Sequence, residues 1–183
     1  YGRRRGGVMP LWTGEGHLHT PTIIAEAANK SQLGGETMYT WQRGLPEQRA
    51  EIAAYLERLI GQPNAPERIF ITGSGMQSIL IALQVALDAD EAIIVPSPAW
   101  PNIVAGAGVR QAQVIEIPMP FVEGRFTLDL DAIEAAARAP KPRAIFINSP
   151  SNPTGWVADL ETLKAVHDLA APHDLWIIAD EIY

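Results

Sequence analysis

The sequence contains no cysteine, which rules out disulfides and thiolate ligands and fits a reducing compartment such as the cytoplasm. No apolar run approaches the ~18 residues that suggest a membrane-spanning helix. Basic residues are scarce: 14 Lys and Arg stand against 21 Asp and Glu, a formal net charge of −7. A chain so short of basic surface is a poor partner for nucleic acid. Its one basic run, Arg3-Arg4-Arg5, is brief and reads as a solvated flank. Internal repeats and low-complexity tracts are also missing. What remains is ordinary globular material, 183 residues at 47% hydrophobic, enough for a domain with a sizeable core.

Residues 1–45 are rich in Gly and Thr and predict mostly irregular structure, the kind that lines a site, with one helix around 21–30. From Pro46 the pattern changes. Ile52, Ala53, Leu56, Leu59 and Ile60 share one helical face, and Gly61 supplies the stop. An alternation follows, with strands expected at 69–72, 92–95, 114–117, 144–148 and 175–179. Helices are expected at 76–87, 130–139 and 160–170, with a helix or loop after Pro98. Such alternation predicts an α/β domain over 46–183, a mostly parallel sheet flanked by helices. Helix 76–87 is apolar almost all round, which predicts burial against the sheet and a second surface. The final strand, Leu175-Trp-Ile-Ile-Ala179, reads as buried on both faces and ends abruptly at Asp180.

Four strand ends carry pointed chemistry. In Thr72-Gly-Ser-Gly-Met-Gln77 the glycines permit a tight turn into a helix whose first N–H groups suit a phosphate. A dinucleotide fingerprint would need Gly where Ser78 stands, a Walker loop would need Gly-Lys, and Ser74 lacks the Gly-x-Ser-x-Gly frame of a hydrolase. A glycine turn with no ligand also fits. Trp100, in Pro96-Ser-Pro-Ala-Trp-Pro101, is either a core plug or a flat platform for an aromatic ligand. In Asn148-Ser-Pro-Ser-Asn-Pro-Thr-Gly155 two X-Pro steps restrict the backbone and aim the Asn152 amide, a neutral donor suited to a phenolate oxygen. Asp180 either caps the next turn or faces a ligand; opposite a pyridine, its carboxylate would keep the ring nitrogen protonated. A pyridinium is the electron sink of pyridoxal phosphate.

Those strings resemble the pyridoxal-phosphate-dependent aminotransferases of fold type I, class I/II, the group that includes aspartate and aromatic aminotransferases. The resemblance runs over essentially the whole chain and rests above all on Asn148-Ser-Pro-Ser-Asn-Pro-Thr-Gly155 and Asp180-Glu-Ile-Tyr183. It implies a phosphate cup of Ser74, Gly75 and Met76, Trp100 stacked on the cofactor ring, Asn152 and Tyr183 on the ring hydroxyl, and Asp180 on the ring nitrogen. Trp100, Asn152 and Gly14 would also meet the substrate, Gly14 through its backbone to the substrate carboxylate. Tyr39 resembles the tyrosine that reaches the neighbouring subunit's phosphate, which implies a homodimer with shared sites. Residues 1–45 would contribute to a small domain and the site's edge, and 46–183 would be the first part of the cofactor-binding large domain.

The implied activity is transfer of an amino group between an amino acid and a 2-oxo acid. A β-lyase, a cyclopropane-forming synthase or an aminotransferase-like effector domain of a transcription regulator would share the same half-site. Departures accompany the likeness. Gly14-Glu-Gly-His17 differs from the Gly-Glu-Pro-Asp of many relatives, and His17 with His19 offers no third metal ligand. The family's Schiff-base lysine and its late carboxylate-binding arginine belong beyond Tyr183, so the expectation is a segment of a longer polypeptide, inactive alone. Lys30, Lys141 and Lys164 are expected in helices or loops away from any strand end.

Overall fold

The computed structural model describes residues 14, 16 and 18–183. Arg3, Arg4, Arg5 and His17 lie outside them. The elements are helices α1 (Thr22–Leu33), α2 (Pro46–Ile60) and α3 (Gly75–Ala86), then strand β1 (Ala92–Ser97), helix α4 (Pro101–Val109) and strand β2 (Gln113–Pro118). A two-stranded antiparallel hairpin, β3 (Phe121–Val122) and β4 (Arg125–Phe126), leads to α5 (Leu130–Ala137), β5 (Pro142–Asn148), α6 (Leu160–Ala170) and β6 (Trp176–Asp180). The main sheet is parallel throughout, in the order β2-β1-β5-β6.

Strict alternation along buried strands divides the core in two. Ile93 and Val95 of β1, with Ala144 and Phe146 of β5, face α3 and α4 and meet Ile79, Leu83, Ile103 and Ala107. Ile94, Ile145 and Ile147 face the other way, onto Ile133 and Ala137 of α5 and Val166 and Ala170 of α6. Where α4 crosses α3, Gly106 lets the helices approach: a Cβ there would lie 2.9 Å from Leu83 Cδ1. This contact positions the start of α3 beside the sheet.

Helix ends follow local chemistry. Pro46 opens α2, and Gly61 closes it in the left-handed region at φ 76°, its N–H donating to the Glu57 carbonyl. Asp129 and Asp159 cap α5 and α6, accepting from the Ala132 and Thr162 N–H groups at 2.9 and 2.7 Å. The Thr162 hydrogen bonds hold the Asp159 carboxyl below its ordinary range.

Three expectations need correction. Residues 69–72 do not form a strand: no described strand lies alongside, and the segment's backbone ties are Ile69 N–H to the Pro66 carbonyl at 3.1 Å and Ile71 N–H to the Arg43 carbonyl at 3.0 Å. The final strand forms, yet it is the sheet's edge among the described residues rather than buried on both faces. Ile178 is buried, whereas Trp176 and Ile177 are 60% and 39% exposed. In α3, Ile79 and Leu83 pack on the sheet and α4 supplies the expected second surface, but Ile81 and Val85 on the outer side are exposed, so the helix is not covered all round. The chain after Pro98 resolves as a helix, α4.

At the amino ends of β1 and β5, Glu91 accepts from Asp88 N–H and from Arg143 Nε, both at 2.8 Å. The Asp88 hydrogen bond, and then Arg143, hold this carboxyl below its ordinary value. A carboxyl shifted downward by folding stabilises the fold at pH above its unfolded value of 4.5 and loses that contribution as pH falls through the lower folded value. Glu91→Ala is expected to cost about 1 kcal/mol at pH 7. Urea titrations across pH should show the gap to the parent narrowing below that value; a gap independent of pH would refute the assignment.

Candidate active site

The connections around β1 and β5 run in opposite directions. Through α4 the chain goes from β1 outward to β2, and through α6 it goes from β5 outward to β6. Loops leaving two adjacent parallel strands on opposite sides open a crevice between their carboxyl ends, where open α/β sheets take their ligands. A cavity of about 510 Å3 lies there, lined by residues from α3, the loops after β1 and β5, and the end of β6.

Six residues singled out from the sequence line this one cavity: Gly75, Met76, Trp100, Asn152, Asp180 and Tyr183. The Asp180 Oδ1 accepts from Ile182 N–H at 3.3 Å, the local turn contact, and no other bond to its carboxylate occurs among the described residues. Trp100 precedes Pro101 at the start of α4; it packs partly against the α3/α4 core and also lines the cavity. The core contact considered for its indole is thus present, and the same side chain borders the cavity.

Ser74 sits one residue outside the lining and serves α3 as its cap. Its Oγ accepts from Gln77 N–H at 3.2 Å, and Gln77 Oε1 accepts from Gly73 N–H at 2.7 Å. Thr72 Oγ1 and Ser78 Oγ, 2.6 Å apart, brace the same turn. The N–H groups of Gly75 and Met76 find no acceptor among the described residues, as expected of a first helical turn. Tyr39 and Gly14 do not line the cavity. Tyr39 is fully exposed, and nothing lies within 4 Å of a Cβ built on Gly14.

Sequence reasoning missed Ser78, Glu181, Ile182 and, above all, Asn148. Asn148 is buried at the end of β5 in register with Asp180. Its signal was available: an amide closing the otherwise apolar run Ala144-Ile-Phe-Ile. A second cavity, of about 550 Å3, opens between the β3/β4 hairpin and the 154–159 loop; its one carboxylate, Asp159, is the cap of α6. No cluster of three or more His, Asp or Glu suited to a metal occurs among the described residues, nor does a helix long and apolar enough to cross a membrane.

Residues 7–183 match the model of the family described as aminotransferase class I and II. The chain belongs to this family. It is 36% identical over 185 residues to the aspartate/prephenate aminotransferase of Thermus thermophilus, covering 98% of this chain and 47% of that one. Among solved structures it resembles the aspartate aminotransferase of Thermus thermophilus with maleate, at 35% identity and a TM-score of 0.83, covering 93% of this chain and 44% of that one. It also resembles the N-succinyldiaminopimelate aminotransferase of Mycobacterium tuberculosis, at 28% identity and a TM-score of 0.88, with the same coverage of 93% and 44%. The chain thus spans about half the length of the relatives it matches.

As a helix cap, Ser74 makes a prediction that depends on no ligand. Ser74→Ala is expected to destabilise the protein by about 1 kcal/mol, and Ser74→Asp, which can also cap, to restore most of it. Denaturant midpoints check this; equal midpoints for Ala and the parent would show that the cap contributes nothing.

Proposed function

We propose that this chain supplies the cofactor-gripping part of a pyridoxal-phosphate-dependent aminotransferase that moves an amino group between an amino acid and a 2-oxo acid. The observation that carries this reading is the convergence of Gly75, Met76, Trp100, Asn152, Asp180 and Tyr183 on one cavity at the crevice between β1 and β5. The donor set suits the group. Unbonded N–H groups at the positive end of a helix favour a phosphate, an indole offers a stacking face, an amide and a phenol can both donate to a ring oxygen, and a carboxylate complements a protonated ring nitrogen. The cavity volume falls within the range of small-molecule sites.

In this reading Gly75 and Met76 hold the phosphate through their backbone, with Ser74 keeping the turn in shape. Trp100 fixes the plane of the ring. Asn152 and Tyr183 hold its hydroxyl oxygen, and Asp180 keeps a proton on its nitrogen. When bound, the cofactor supplies an electron-withdrawing ring that accepts charge from the substrate carbon. Fully exposed Tyr39 and the exposed apolar side chains of Ile23, Ile24 and Leu33 on α1 favour a homodimer in which Tyr39 reaches the partner's site. Gly14 would meet the substrate carboxylate.

The test uses the full-length protein that carries this chain. It should bind pyridoxal phosphate and convert an amino acid such as aspartate to its 2-oxo acid only when a second 2-oxo acid accepts the amino group. Release of ammonia without an acceptor would replace transfer by elimination. Asp180→Ala should retain the fold and lower turnover at least a hundredfold, a loss of ~3 kcal/mol or more of transition-state stabilisation; unchanged turnover would remove Asp180 from its role. Ser74→Asp, stable through its cap, should bind the cofactor poorly because its charge opposes the phosphate.

A further inference from the structure

Asn148 is the one buried polar side chain among the described residues, and both ends of its amide are engaged. Its Oδ1 accepts from Asn152 N–H at 2.7 Å, and its Nδ2 donates to the Asp180 carbonyl at 3.0 Å. The same carbonyl accepts from Ser149 N–H at 3.1 Å. Strand pairing places Asn148 beside Asp180, but a ladder does not determine where either chain goes once the strands stop. A planar amide with an acceptor and a donor in fixed relation does. Through it, the turn that carries the Asn152 side chain and the turn that carries the Asp180 side chain are tied to a single group.

We propose that Asn148 is a positioning residue that sets the separation of the Asn152 amide and the Asp180 carboxylate across the cavity. On the cofactor reading given above, which this inference deepens, that separation decides whether one ring can be held at its hydroxyl and its nitrogen together. Asn148 acts through the two residues it holds. No aliphatic side chain of similar size can replace it, and an aspartate reproduces only the acceptor.

The two variants therefore separate the halves of the bracket. Hydrogen exchange of the cofactor-free full-length protein is measured at pH 8 on peptides covering 149–155 and 179–183, and pyridoxal phosphate affinity is measured by quenching of tryptophan fluorescence. Asn148→Ala should speed exchange in both peptides and weaken cofactor affinity by roughly tenfold or more. Asn148→Asp should leave the 149–155 peptide close to the parent, speed the 179–183 peptide, and lose less affinity. Should Asn148→Ala fail to fold, the asymmetry in Asn148→Asp carries the test. Unaltered exchange and affinity in both variants would overturn the proposal, as would global unfolding of both, which would make Asn148 a folding residue only. A parent protein that binds no pyridoxal phosphate would instead overturn the cofactor reading, while the exchange asymmetry still decides whether Asn148 sets the two turns.

Discussion

The arrangement of the site depends on a side-chain amide bridging two strand ends. Parallel strands lie about 4.8 Å apart, so β5 and β6 bring Asn148 and Asp180 side by side, but their following loops diverge. Asn148 bonds to the Asn152 N–H in the loop after β5 and to the carbonyl of Asp180 at the end of β6. Because it is buried, neither bond can be exchanged freely for water, and leaving either protein group unpaired there would cost about 1–3 kcal/mol. The preference for this one arrangement follows from that penalty more than from the strength of the bonds.

Burial of this kind is possible because the core beneath it is dense and two-sided. Ile93, Ile94, Val95, Ala144 and Ile145 have no exposed surface at all, since helices cover both faces of β1 and β5. The two ends of the sheet differ in their polar chemistry. At the amino ends a charged pair, Glu91 and Arg143, ties β1 to β5 with partial access to solvent. At the carboxyl ends the ties are neutral amides and backbone groups, and among the described residues no cation pairs with the Asp180 carboxylate.

Much of this was legible in the residues. The β1, β2, β5 and β6 runs, the Gly61 stop and the helices α2, α3, α5 and α6 all follow from period and punctuation, and six cavity residues sit in strings whose chemistry is visible without coordinates. What failed was whatever depends on neighbours. Ile69-Phe-Ile-Thr72 has strand composition, but a strand is a pairing, and no described strand pairs with it. Trp176 and Ile177 have the composition of a central strand and lie at the sheet's edge among the described residues. The hairpin of β3 and β4 is two residues on each side, too short to leave a period. Asn148 was read as the first letter of a motif, because hydrogen bonds spanning 4 and 32 residues along the chain leave no local pattern.

The make-up of the cavity's lining is equally informative. It offers a carboxylate pair in Asp180 and Glu181, two amides, hydroxyls and an indole, but no amine. Lys30 lies in α1 and Lys164 in α6, while Lys141 precedes β5 at the end remote from the site; seven residues of strand put it about 23 Å away. Moving a proton from a substrate carbon requires a base at that carbon. Asp180, in the role proposed for it, is occupied with the ring nitrogen, and Tyr183, in its proposed role, with the ring oxygen. In the proposed reaction Asp180 and Tyr183 thus bind the ring and control its electronics, and the proton-transfer base is a group other than these two. Such a division makes the separation held by Asn148 consequential, because a base fixed elsewhere can meet the substrate carbon only if the ring is held in one position.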